Sequence, residues 1–167
     1  SKDFQILENK FQQGDIAGIA PLLPTAKANN DEDRALQLYL SAMLKKTENE
    51  TISSLQQAAN LYPKTFYGQM SILELAKYHI LKREINQAEE LLHKITNAQL
   101  IEKFYWLAYC ADSKSNYDKA ISYSENYLRM TSDNKYLENT YYIIANAYRK
   151  QGKYQSAITT LEKLKKI

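Results

Sequence analysis

The stretch from Leu137 to Leu164 constrains this chain more than any other. Tyr141, Ile144, Ala145 and Tyr148 stand at i, i+3, i+4 and i+7, which lays them on one face of a helix. Ala157, Leu161 and Leu164 do the same for a second helix, and a short Gln-Gly-Lys turn joins the two. Gly152 falls where the first helix has to stop, at a position that commonly needs a left-handed backbone. Small Ala145 and Ala157 allow two helix backbones to approach closely, and tyrosine rings fill the space beside them. One such antiparallel pair cannot bury its apolar faces alone, so other pairs must stack on it.

The same pattern recurs upstream. Phe104, Leu107, Ala108 and Ala111 open a pair that Tyr117, Ala120, Tyr123 and Tyr127 complete. Ile72, Leu75, Ala76 and His79 open another, completed by Ile85, Ala88, Leu92 and Ile95. Ala35, Leu38, Tyr39, Ala42 and Met43 begin a third, followed by Ile52, Leu55, Ala58, Ala59 and Leu61 and stopped by Pro63. Phe4, Leu7 and Phe11, then Ile16, Ile19, Leu22 and Leu23, give a weaker pair limited by Pro21 and Pro24. Setting Thr51, Ala88, Ala120 and Ala157 at one repeat position gives spacings of 37, 32 and 37 residues. Four glycines and three prolines in 167 residues favour long regular elements, and the 14 tyrosines recur at helical spacings rather than alternating as in a strand.

This pattern resembles that of the tetratricopeptide (TPR) repeat, most closely from Phe104 to Leu164, whose order of aromatic, small, aromatic, Gly-x-Tyr-x-x-Ala it follows. The resemblance implies an all-α, right-handed α–α superhelix of about five antiparallel helix pairs. The expected layout is a single solenoid over 1–167, with a degenerate first repeat at 1–30 and further repeats at 31–63, 65–96, 97–130 and 135–167. The departures are in volume: Ala76, Ala108 and Ala145 take the small position in place of a Leu-Gly pair, and Ile72 and Ala35 replace a large aromatic. The stripe Ile158, Leu161, Leu164 and Ile167 would leave an edge for a further helix, which implies a longer native chain or association through that end.

A fold of this kind works through the inner surface formed by the first helix of each pair. The implied groove positions are Leu36, Leu40 and Met43; Leu73 and Lys77; Tyr105, Tyr109 and Asp112; and Tyr142, Asn146 and Arg149. Tyrosine and arginine make effective anchors for a protein or peptide partner. Some TPR adaptors hold a carboxylate tail with a Lys, Asn and Arg clamp; here Lys77 is separated from Asn146 and Arg149 by the tyrosine-bearing pair, so that clamp is not matched. The Tyr62-Pro63-Lys64-Thr65-Phe66-Tyr67 link is similar to links in bacterial envelope TPR proteins, which implies the periplasmic side of a bacterial envelope. A helix stop followed by a new cap accounts for it equally well.

Other functions find little footing. A formal net charge of +3, with acidic and basic residues interleaved, lacks the concentrated basic face of a nucleic-acid binder. No apolar run reaches membrane-spanning length. His79 and His93 stand fourteen apart without a metal-ligand spacing, and His79 takes a packed aromatic's place in the repeat. The lone Cys110 has no histidine near it in sequence and reads as a packing residue. Gly14, Gly68 and Gly152 are isolated rather than gathered in a phosphate loop. The expectation is a binding scaffold without cofactor or metal, not an enzyme, and with no membrane insertion.

Overall fold

Several helices in this chain start at a side-chain cap or end at a left-handed turn. A computed structural model describes residues 1–167. In order, the helices are α1 (Lys2–Gln12), α2 (Ile16–Ile19), α3 (Asp31–Leu44), α4 (Glu48–Leu61), α5 (Phe66–Leu81), α6 (Ile85–Leu92), α7 (Glu102–Ser113), α8 (Tyr117–Met130), α9 (Leu137–Lys150) and α10 (Tyr154–Lys165), with a single 3-10 turn at Leu23–Thr25. There is no strand, so the all-α expectation holds. By packing, the chain divides into one unit of Ser1–Leu75 with Lys94–Asn97, and another of Ala76–His93 with Ala98–Ile167.

In the first unit, side-chain caps define the starts. Asn30 accepts from the amide of Asp33 at 2.8 Å, and Thr47 from that of Glu50 at 3.3 Å. Acidic Asp31, Glu32 and Asp33 fill the first turn of α3, where the helix dipole favours them. α3 lies against α4 and α1, burying Ala35, Leu36, Tyr39, Leu40 and Ala42. Between α4 and α5 the chain folds on itself at Tyr62–Thr65. The Thr65 hydroxyl donates to the Tyr62 carbonyl at 2.7 Å and accepts from the Gly68 amide at 3.0 Å. The next residue but one, Tyr67, closes a ring cluster with Phe11 and Tyr39, and its hydroxyl donates to Glu8 at 2.8 Å. Burial, then that carboxylate, push the Tyr67 phenol well above its usual range. The Gln69 amide group ties Thr96 and Asn97 to the same unit by bonds of 2.8 to 3.1 Å.

The second unit shows the pairing most plainly. α7 packs on α8, α8 on α9, and α9 on α10. Its core gathers Tyr105, Ala108, Ala111, Ala120, Tyr127 and Ile143, ringed by Phe104, Trp106, Tyr123 and Tyr136. Ala88 and Ala120 are fully buried and Ala157 nearly so. The turn five residues earlier is also shared: Arg83, Ser115 and Gly152 all have positive φ, at 60°, 59° and 75°, as does Gly14 at 75° in the first unit. In the second pair, by contrast, Lys45 is extended and Thr51 turns its hydroxyl to the carbonyls of Ala42 and Thr47.

Candidate functional site

One hollow in the second unit opens between the end of α5, the face of α7 and the residue before α9. Its volume is about 800 Å³, and its walls are Lys77, Ile80, Leu81, Arg83, Ile85, Tyr105, Trp106, Tyr109, Ser113 and Tyr136. The aromatic wall is built by helical spacing plus one distant ring. Tyr105 stacks on Tyr136 with centroids 4.3 Å apart and planes within 4°. Trp106 meets Tyr136 edge-on at 5.5 Å and leans on Tyr109 at 5.8 Å. Such pairs each add roughly 0.5–1.5 kcal/mol beyond area burial. Leu81 at the rim is 80% exposed and Tyr109 is 38% exposed.

Glu102 fixes the wall from below. One carboxylate oxygen accepts from the Trp106 indole at 3.0 Å and from Lys77 at 3.2 Å, and the other accepts from Lys135 at 3.2 Å. Burial on its own would raise the Glu102 pKa, but the indole bond and the two ammonium charges outweigh it and hold the carboxyl below the usual range. Lys135 also sits 5.1 Å above the Tyr136 ring. The indole orientation and the placement of Tyr136 therefore share one anchor.

The groove positions expected from the repeat fall into several separate sets. Leu36, Leu40, Leu73 and Tyr105 do not present a groove surface: they are 3%, 1%, 3% and 4% exposed. The three leucines belong to the core, and Tyr105, covered by Tyr136, forms only the floor of the cleft. That corrects the expectation, and the reason is coverage by neighbouring helices and loops. Lys77 and Tyr109 line the cleft itself. Asn146 and Arg149 lie apart from it in a polar ladder, in which Arg149 donates to Asn146 at 2.9 Å and Asn146 to Asp112 at 3.2 Å. Tyr142, 53% exposed, lines a second hollow of about 630 Å³ with Leu137, Leu161, Leu164 and Ile167. Met43 is exposed on α3. The sequence reading missed Trp106, Tyr136, Leu81 and Arg83. The single tryptophan, four residues after Glu102, was a usable signal for one of them.

Cys110 is fully buried, and burial followed by the Glu89 charge pushes its thiol up to about 12, so it stays protonated. His79 lies half-buried with Nδ1 3.6 Å from Glu84, and no group of His, Cys, Asp and Glu is gathered to hold a metal. No helix is long and apolar enough to cross a membrane.

Paired antiparallel helices, a shared left-handed turn and a buried small residue define a TPR-type helical-repeat protein. The chain belongs to the family described as anaphase-promoting complex, cyclosome, subunit 3, whose model matches residues 77–164. Solved structures share the fold at low sequence identity. MamA is 22% identical, with a TM-score of 0.65 over 96% of this chain and 95% of that one. The TPR-like repeats of a putative kinesin light chain from Podosopora anserina are 17% identical, with a TM-score of 0.60 over 98% and 92%. BtubC (BKLC) from P. vanneervenii is 14% identical, with a TM-score of 0.69 over 96% and 76%. No curated protein matches the chain. The fold is one of protein-interaction scaffolds, and protein partners follow from it.

Proposed function

We propose that the chain is a scaffold that holds a segment of a partner protein in the cleft walled by Trp106, Tyr109 and Tyr136. The observation that carries this reading is a hollow lined by Trp106, Tyr109 and Tyr136 together with the exposed Leu81. Lys77 and Tyr109 belong to that surface. The test is to pan short random displayed peptides on the parent chain, then measure the recovered peptides on a Leu81→Ala, Tyr109→Ala double variant. Both side chains are exposed, so helicity should persist while binding falls at least tenfold. Recovered peptides that bind the double variant as well as the parent would remove the cleft from the reading.

A second reading has its own observation. The α10 stripe leaves Ile158, Leu161 and Ile167 at 50%, 41% and 69% exposure, beside the hollow that Tyr142 lines. That face suits assembly through the end of the last pair. Light scattering across a concentration series, with Leu161→Glu as the comparison, would show a concentration-dependent mass that the variant abolishes. A concentration-independent monomer mass in the parent would end this reading.

A further inference from the structure

The charged groups around the cleft do not balance. Its lining carries two cations, Lys77 and Arg83, and no carboxylate. Behind it, Glu102 is shared between Lys77 and Lys135. Glu102 thus carries both ammonium groups and the indole. Arg83 is the group left over: it is exposed at the rim beside Leu81 and has no carboxylate partner within the chain.

Arg83 is also an unexpected residue for its position. It occupies the left-handed site of the α5–α6 turn at φ 60°, where the corresponding turns at Gly14 and Gly152 use glycine. A side chain there strains the backbone relative to glycine. Ser115 shows that the turn accepts an L-residue at this angle, so backbone geometry alone assigns nothing. What sets Arg83 apart is that it lines the aromatic cleft together with Leu81, which is 80% exposed.

From this charge pattern we infer that the cleft selects an acidic segment of a partner protein, with a carboxylate beside an aliphatic or aromatic anchor residue. The anchor packs between Leu81 and the Trp106–Tyr109 wall, and the carboxylate accepts from Arg83. A guanidinium suits this task because its donors form a planar fork that matches a carboxylate's two oxygens. This inference rests on the cleft being the binding site.

Panning short random displayed peptides on the full chain tests it. The expected outcome is enrichment of Asp or Glu next to Leu, Phe, Tyr or Trp, with binding that weakens as salt rises. Arg83→Gly should weaken the recovered peptides about tenfold, the scale of one charge-assisted contact. The same variant relieves the left-handed backbone, so its melting midpoint should hold or rise, and lost binding then cannot be laid to lost folding. Arg83→Glu should shift the enriched sequences toward Lys and Arg. Peptides without acidic preference, or equal binding to Arg83→Gly, would overturn the acidic assignment and leave the cleft standing. A poly-uridine oligonucleotide binding as tightly through the same residues would overturn it too. No enrichment, or peptides indifferent to Leu81→Ala and Tyr109→Ala, would overturn the cleft and the acidic assignment together.

Discussion

Gly68→Ala sets two physical effects against each other, and their sizes decide the sign. Helix propensity favours alanine over glycine inside a helix by about 1 kcal/mol. Gly68 is the third residue of α5, so propensity alone predicts a more stable protein. Yet a Cβ placed there would lie 1.8 Å from the Tyr62 carbonyl oxygen and 2.8 Å from the Thr65 hydroxyl. Carbon and oxygen rest no closer than about 3.3 Å, so something must move by more than an ångström. The carbonyl is not free to go, because it accepts from both the amide and the hydroxyl of Thr65 at 3.1 and 2.7 Å. Opening that turn gives up those two bonds and the Thr65 cap on Gly68, about 1 kcal/mol each. Shifting α5 instead would pull Tyr67 away from Glu8, Phe11 and Tyr39. The loss of about 3 kcal/mol outweighs the gain of about 1, leaving the variant roughly 2 kcal/mol less stable. Urea unfolding followed by far-UV circular dichroism reads this directly, and near-UV ellipticity reports whether the Tyr67 cluster has loosened. An unchanged or raised midpoint would refute the steric argument. Gly152→Ala is the matching control, since nothing lies within 4 Å of its Cβ and only the 75° φ resists the change.

The remaining predictions concern the second unit. Glu102→Gln should cost about 1–2 kcal/mol at neutral pH, because it leaves Lys77 and Lys135 facing each other across a neutral amide. Since the folded Glu102 pKa lies below its ordinary 4.5, the parent's advantage is fully present above that pH and fades as pH falls through the folded value. Urea midpoints of parent and variant should therefore converge in acid, and a constant gap would refute the sign. Ala120→Leu should destabilise by about 1–3 kcal/mol, because the fully buried alanine leaves no room between α7 and α8; an unchanged melting midpoint would contradict that packing. Ser115→Gly should raise stability by up to about 1 kcal/mol by relieving the 59° φ, and a fall in the midpoint would show that the turn is not strained.

The sequence was most informative where chemistry is local. Helix periodicity, Gly152 at its turn and the repeat alanines all express constraints that act within a few residues, and the structure has the corresponding helix pairs, the 75° φ and the buried methyl groups. The candidate site was less legible because its surface depends on partners far away in sequence. Tyr105 occupies an inward repeat position, but Tyr136, thirty-one residues on, lies flat against it and closes it off. Leu36 and Leu40 share a helix face with exposed Met43, and only the packing of α3 in its unit decides which of them is covered. Trp106 sits beside the repeat position that periodicity singles out, so its role depends on Glu102 accepting the indole and drawing Lys77 and Lys135 to the same carboxylate. Arg83 was open to reading all along: it takes the place that Gly152 fills in the last pair, and an arginine there invites the question of what its charge is for. Repeat logic places side chains by register, whereas exposure depends on which neighbouring ring or helix arrives on top. In this chain the difference runs through two adjacent residues of α7, with Tyr105 closed beneath a stacked ring and Trp106 left as the wall of the cleft.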